Sequence, residues 1–167
     1  MKKRWICLYV ENEIGVLARI SGLFSAKSYN LDSLTVGETQ DAAISRMTIS
    51  LTSDDQTFEQ IKKQLNRSVE VIKVVDYTDI PIHMRELLFV KINNCSKNDM
   101  EEVFRIAGVY EIKITDYNKS TVLLECVKTK TKNDDIIKLL GNCFSNRIEV
   151  VRGGSVAIEA VSMSLDR

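Results

Sequence analysis

Two tandem βαββαβ units, each an antiparallel sheet with both helices on one face, make up the α+β fold that this chain predicts. Three observations carry the expectation. Apolar runs too short for helices alternate with stretches of helical spacing. The order strand, helix, strand, strand, helix, strand occurs twice. Local motifs also return at a nearly constant offset: Glu70-Val71-Ile72-Lys73 reappears as Glu149-Val150-Val151-Arg152, and Arg4 and Arg85 head the two opening strands. A tandem duplication accounts for all three.

Each element has its own local reason. Arg4 to Val10 is a short apolar run suited to a central strand. From Gly15 the period becomes helical, with Leu17, Ile20, Ser21 and Phe24 on one stripe and Val16 and Leu23 widening it. Leu31 to Val36 reads as a strand closed by Gly37 and a polar turn. Ile44 to Leu51 alternates, Met47, Ile49 and Leu51 against Arg46, Thr48 and Ser50. Ser53-Asp54-Asp55 can cap a helix carrying Phe58, Ile61 and Leu65, and Val69 to Val75 is a β-branched strand.

The segment Tyr77 to Met84 contains the one proline, Pro81, and the one histidine, His83, and reads as a connector. The expected domains are therefore 1–78 and 85–167, with 79–84 as linker. In the second, Arg85 to Ile92 is a strand and Asn98 to Ala107 a helix with Met100, Val103, Phe104 and Ala107 on one face. Tyr110 to Asp116 and Thr121 to Val127 are strands around a turn at Asn118-Lys119. Asn133-Asp134-Asp135 is expected to open a helix bearing Ile137, Leu140 and Phe144, and Ile148 to Val151 closes the unit. This arrangement is the ferredoxin-like fold. Its second sheet face and edge strands need cover, so self-association is expected.

Composition excludes several functions. With 167 residues in two units, each core is thin, and dimerisation is a common remedy. Lys plus Arg and Asp plus Glu are both 23, and the basic residues are scattered, so no field favours nucleic acid or an anionic membrane. The basic opening Met1-Lys2-Lys3-Arg4 leads into an apolar stretch that breaks at Glu11-Asn12-Glu13, too early for a secretory signal. No apolar run approaches the ~20 residues of a membrane span. Cys7, Cys95, Cys126 and Cys143 form no C-x-x-C pair and read as reduced, buried thiols in a cytoplasmic protein, although their even number leaves a bridge open.

Catalytic chemistry is also hard to assemble. The single histidine, His83, sits in the connector, so neither a His-based triad nor a multi-histidine metal site is expected within one chain. Gly153-Gly154 stands without a phosphate-loop pattern. Asp54-Asp55 and Asp134-Asp135 lie where helix N-termini favour negative charge. No metal or cofactor is expected in this chain.

The junction Glu11-Asn12-Glu13-Ile14-Gly15-Val16-Leu17-Ala18-Arg19-Ile20 carries the strongest signal. It is a polar turn, then a glycine, then the donor N–H groups of a starting helix, which suit a carboxylate. Gly15 permits close approach to the backbone, and Asn12 offers an acceptor and a donor to a zwitterionic amino acid. A purely structural reading stands beside it, with Asn12 as an N-cap and Gly15 relieving crowding against the sheet.

Asn12 to Arg19 resembles the opening motif of ACT domains, which bind amino acids at dimer interfaces. Gly22-Leu23-Phe24-Ser25, Tyr29 to Val36, Ser45-Arg46-Met47-Thr48-Ile49 and Arg85 to Ile92 are similar to runs in the regulatory subunits of acetohydroxyacid synthase (acetolactate synthase). The likeness is strong over residues 1 to about 92 and collinear beyond. It implies a non-catalytic partner of a large subunit that itself uses thiamin diphosphate, Mg2+ and FAD. It also implies a homodimer that raises the partner's activity and imposes feedback by a branched-chain amino acid, usually valine, or isoleucine or leucine. By the same resemblance, Asn12, Gly15, Val16 and Leu17 contact the effector from one subunit and Asn30 from its neighbour, with Ile14, Tyr29 and Leu31 as nearby candidates. The second half lacks the glycine: its equivalent turn is Asn93-Asn94-Cys95-Ser96-Lys97-Asn98, and no effector site is expected there. Other readings are a tandem-ACT regulator of another system, such as a glycine-responsive transcriptional repressor, a nucleic-acid-binding module, or an acylphosphatase-like enzyme.

Overall fold

The computed structural model describes residues 1–25 and 29–162, so residues 163–167 of the expected second domain lie outside the described residues. Its elements are β1 (Lys2–Glu11), α1 (Val16–Ser25), β2 (Leu31–Glu38), β3 (Ile44–Ser53), α2 (Asp55–Leu65), β4 (Val71–Asp76), β5 (Ile82–Ile92), α3 (Lys97–Val109), β6 (Lys113–Tyr117), β7 (Val122–Lys128), α4 (Lys130–Cys143) and β8 (Ile148–Glu159). They form two antiparallel four-stranded sheets, ordered β2-β3-β1-β4 and β6-β7-β5-β8. Both orders are those of the ferredoxin-like unit. Two compact units result: Met1–His83 with the chain from Val156, and Met84–Ser155.

In the first unit, Ile6, Leu8 and Val10 of β1 and Met47, Ile49 and Leu51 of β3 pack under Val16, Ile20 and Phe24 of α1 and Phe58, Ile61 and Leu65 of α2. Fully burying each such side chain contributes roughly 1.5–3 kcal/mol. Trp5 and Cys7, on the other face of β1, are buried as well. That explains why the strand reads as an unbroken apolar run. The polar face of β3 is buried too, at Thr48 and Ser50. Beside them Arg46 donates through Nε to Cys7 Sγ at 3.0 Å and through Nη2 to Tyr77 Oη at 3.2 Å and the Ala157 carbonyl at 2.6 Å. Burial pushes the Tyr77 hydroxyl pKa up.

The α1 stripe differs from the expected one by one position. Val16, Ile20 and Phe24 enter the core, while Leu17 turns outward and is 43% exposed. Asp54 caps α2 as expected, its Oδ1 accepting from the Thr57 N–H at 2.8 Å.

The second unit encloses Leu88, Val90 and Ile92 of β5, Val122, Leu124 and Cys126 of β7, Val103, Ile106 and Ala107 of α3, and Ile136, Leu140 and Phe144. Phe104 leaves that face and meets the Tyr117 ring edge-on at 5.6 Å. The expected start of α4 at Asn133 is corrected: Thr129 is the N-cap and the helix begins a turn earlier. Asn133 is instead fully buried, its Nδ2 donating to the Glu86 carbonyl at 3.0 Å. Asp134 therefore sits inside the helix, bonded to Arg152 at 2.7 Å. The last strand runs on to Glu159, well past Val151. Cys143 is exposed, against the expectation of burial, and all four thiols are free.

Candidate functional site

The turn between β1 and α1 is built by two local facts. Gly15 has φ +87°, a left-handed conformation that a side chain disfavours. A Cβ there would also lie 3.2 Å from Arg19 Nη1. Arg19 is pinned from the other side, its Nε 2.5 Å from Glu70 Oε1. The Glu11 N–H donates to the Glu70 carbonyl at 3.0 Å, which ties the same loop to the end of β1.

Asn12 is not an N-cap. Its N–H donates to the Ala43 carbonyl at 2.8 Å, and its side chain reaches the β2–β3 hairpin. Nδ2 donates to the Ala42 carbonyl at 2.9 Å and to Glu38 Oε1 at 3.3 Å, while Oδ1 accepts from Ser45 Oγ at 2.9 Å. The first turn of α1 is correspondingly open. Arg19 N–H bonds Gly15 O at 2.9 Å and Val16 N–H reaches Glu13 O at 3.3 Å, but the N–H groups of Gly15, Leu17 and Ala18 meet no acceptor among the described residues. These donors, with the positive end of the helix dipole, suit a carboxylate. Ile14 is fully exposed and Leu17 partly so, which leaves apolar surface beside them. Val16 points into the core and offers a ligand only its backbone.

Asn30 stands elsewhere. Leu31 pairs with Leu51, which is opposite Arg4 at the start of β1, whereas Glu11 pairs with Ile44 at the other end of β3. Roughly seven strand residues, or about 23 Å, separate the two ends. Within one copy the structure does not bring Asn12 and Asn30 together. Around Asn30 lies an open depression of about 420 Å³ lined by Tyr29, Asp32, Ser53, Asp54 and Thr57 among others. Tyr29 packs against the core and donates its N–H to the Phe24 carbonyl at 3.0 Å, and Leu31 is partly buried beside it.

The equivalent turn in the second unit is closed. Asn94 takes the left-handed conformation at φ 54°, and Ser96 and Asp99 form a capping box on α3. Arg147 adds a bond to Asp99 at 2.8 Å. The helix end that is open in the first unit thus carries its own carboxylate here.

Sequence reasoning placed Ser45 in a family-like run but assigned neither it nor Glu38 nor the Ala42 carbonyl, which hold Asn12, to the site. A strand-end serine and a hairpin say nothing of which loop lies across them. Among the described residues no group of three or more His, Cys, Asp and Glu is placed to hold a metal, and no helix is long and apolar enough to cross a membrane.

Comparison with known proteins agrees with this architecture. A family model described as the AHAS small subunit-like ACT domain matches residues 6–73, and one described as the small subunit of acetolactate synthase matches residues 85–161. The acetolactate synthase small subunit of Aquifex aeolicus is 40% identical over 158 residues, 95% of this chain and 81% of that protein. The isozyme 3 small subunit of Escherichia coli is 35% identical over 156 residues, 93% of this chain and 94% of that one. The crystal structure of the Thermotoga maritima small subunit superposes with a TM-score of 0.86 at 29% identity, covering 96% of this chain and 98% of the other. Its first unit matches the ACT domain of these proteins and its second their C-terminal domain, so the chain belongs to the non-catalytic, regulatory small subunits of acetolactate synthase.

Proposed function

We propose that this chain binds the large, catalytic subunit of acetolactate synthase, raises its activity, and imposes feedback inhibition when valine or another branched-chain amino acid occupies the ACT turn. Thiamin diphosphate, Mg2+ and FAD belong to the partner in this reading. The observation that carries it is the open turn at Gly15, with unsatisfied N–H donors and exposed Ile14 and Leu17 on one short stretch.

The effector bridges two copies of the chain. Asn30 lies too far from Asn12 to share a ligand within one copy, but β2 is an edge strand. Antiparallel pairing of two β2 edges about a two-fold axis at mid-strand would set Leu31 opposite Glu38 of the second copy. Asn30 would then fall beside the second copy's Asn12, which is bonded to that Glu38. Such pairing also covers an edge that otherwise invites indiscriminate association. Feedback follows if valine binds one arrangement of the complex more tightly than another, since only differential affinity shifts an equilibrium. A coupling of ~1–3 kcal/mol is typical.

The test is activity of the reconstituted complex with Asn12→Ala. The variant should still activate the large subunit and lose inhibition by valine. Inhibition that persists would place the effector elsewhere.

A further inference from the structure

The bonds around Asn12 assign a role to a neighbouring residue. Both hydrogens of its Nδ2 are used, one on the Ala42 carbonyl and one on Glu38. Ala42 O can only accept, so the amide cannot be reversed without setting two acceptors against each other. One lone pair of Oδ1 is taken by the Ser45 hydroxyl. The single open valence of the Asn12 side chain is therefore the second lone pair of Oδ1, an acceptor.

Resting on the effector reading above, we infer that Ser45 is a positioning residue of the effector site: it holds the Asn12 carboxamide so that its one free acceptor receives the ammonium group of the amino acid. The carboxylate then lies against the N–H groups of Gly15, Leu17 and Ala18. Ser45 is suited to this work. It is 6% exposed at the end of β3, where its backbone is paired with Val10 on one side and Glu38 on the other, so its hydroxyl is held on rigid strands rather than on the loop. Its partner Asn12 lies on the exposed turn. Ser45 itself need not touch the ligand. Its effect passes through the orientation of Asn12, and the selectivity it confers is for a charged donor over a neutral or absent one.

The experiment titrates the full-length chain with valine and with 3-methylbutanoate, which keeps the carboxylate and side chain of valine but has no ammonium. Ser45→Ala should weaken valine about five- to tenfold, the loss of one hydrogen bond's worth of orientation. It should leave 3-methylbutanoate binding as in the parent chain and lower the melting temperature without ligand by no more than about 1–6 °C, the loss of one hydrogen bond. Ser45→Thr, which restores the hydroxyl, should recover valine affinity. Parent-like valine binding in Ser45→Ala overturns the inference, and so does an equal loss of both ligands or a failure of Ser45→Thr to rescue. If Asn12→Ala loses valine while Ser45→Ala keeps it, the effector reading stands and only the role of Ser45 falls. If the parent chain binds no valine, both fall.

Discussion

At the scale of single residues, the ACT turn depends on positions whose roles differ in kind. Gly15 is needed for its backbone: at φ +87° a substituted residue is strained by about 1–3 kcal/mol, and a Cβ crowds Arg19. Gly15→Ala should lower the melting temperature and loosen the Arg19–Glu70 pair, and differential scanning calorimetry of the two chains reads the cost. Arg46 is different, because its guanidinium joins Cys7, Tyr77 and the Ala157 carbonyl across the far face of the first sheet. Arg46→Met keeps much of the aliphatic stem but removes those bonds. It should destabilise the chain by about 1.5–3 kcal/mol, since hydrogen bonds to a charged group exceed neutral ones. Urea unfolding that shows an unchanged midpoint would mean that the three bonds add nothing beyond hydration.

At the scale of elements, the two β–α turns show one topology put to opposite ends. The first leaves the start of α1 open. The second fills the start of α3 with Ser96, Asp99 and Arg147. Ser96→Ala should cost about 1 kcal/mol, as N-cap losses do, and shift the melting temperature down by about 2–4 °C. The Asp99 carboxyl is held well below the usual carboxylate range, first by Arg147 and then by Ser96. A lowered folded-state pKa means that the unfolded chain binds the proton more readily. The stabilisation is thus present above the ordinary carboxylate pKa of about 4 and lost as pH falls through the folded value. Asp54 is lowered in the same sense, chiefly by the Thr57 N–H. In Asp76, hydrogen bonds from Thr78 and Lys62 overcome the opposing effect of burial. Melting temperatures measured from about pH 5 down to pH 2 should fall for the parent chain and fall less steeply for Asp99→Asn.

At the scale of the whole molecule, regulation by an amino acid requires two copies if Asn12 and Asn30 serve one ligand. Val36 is 46% exposed on the β2 edge, paired with Met47 and hence on the helix side of the sheet. Val36→Lys would put a charged side chain on that edge, and a lysine on an edge strand opposes edge-to-edge pairing such as a β2–β2 contact. Sedimentation should show a shift towards monomer with the fold retained, and the valine response should weaken with it. In the parent, valine at a hundred times its dissociation constant should add about 2.7 kcal/mol, a rise of roughly 5–11 °C in melting temperature for a chain of this size. A shift with glycine and not with valine would overturn the branched-chain effector reading.

Much of this protein could be read from its residues alone, for a physical reason. Strand and helix identity depend on side-chain period and on caps within a few positions, so the element order, the core faces of β3 and α2, and the glycine turn before α1 were legible. The family likeness rested on the same short motifs. What only the tertiary structure decided involves partners far apart in the chain. Helix α4 starts at Thr129's cap because Asn133 is drawn inward to Glu86, a residue on another strand. Val16 rather than Leu17 enters the core because the turn at Gly15 sets the rotation of α1 against the sheet. Strand β8 continues to Glu159, past Val151 where the apolar run ends. The hold on Asn12 comes from Ser45, Glu38 and Ala42, brought across the sheet end by the pairing of β1 with β3. Periodicity reports which face a residue shows, but which distant group meets it there is settled by packing and register.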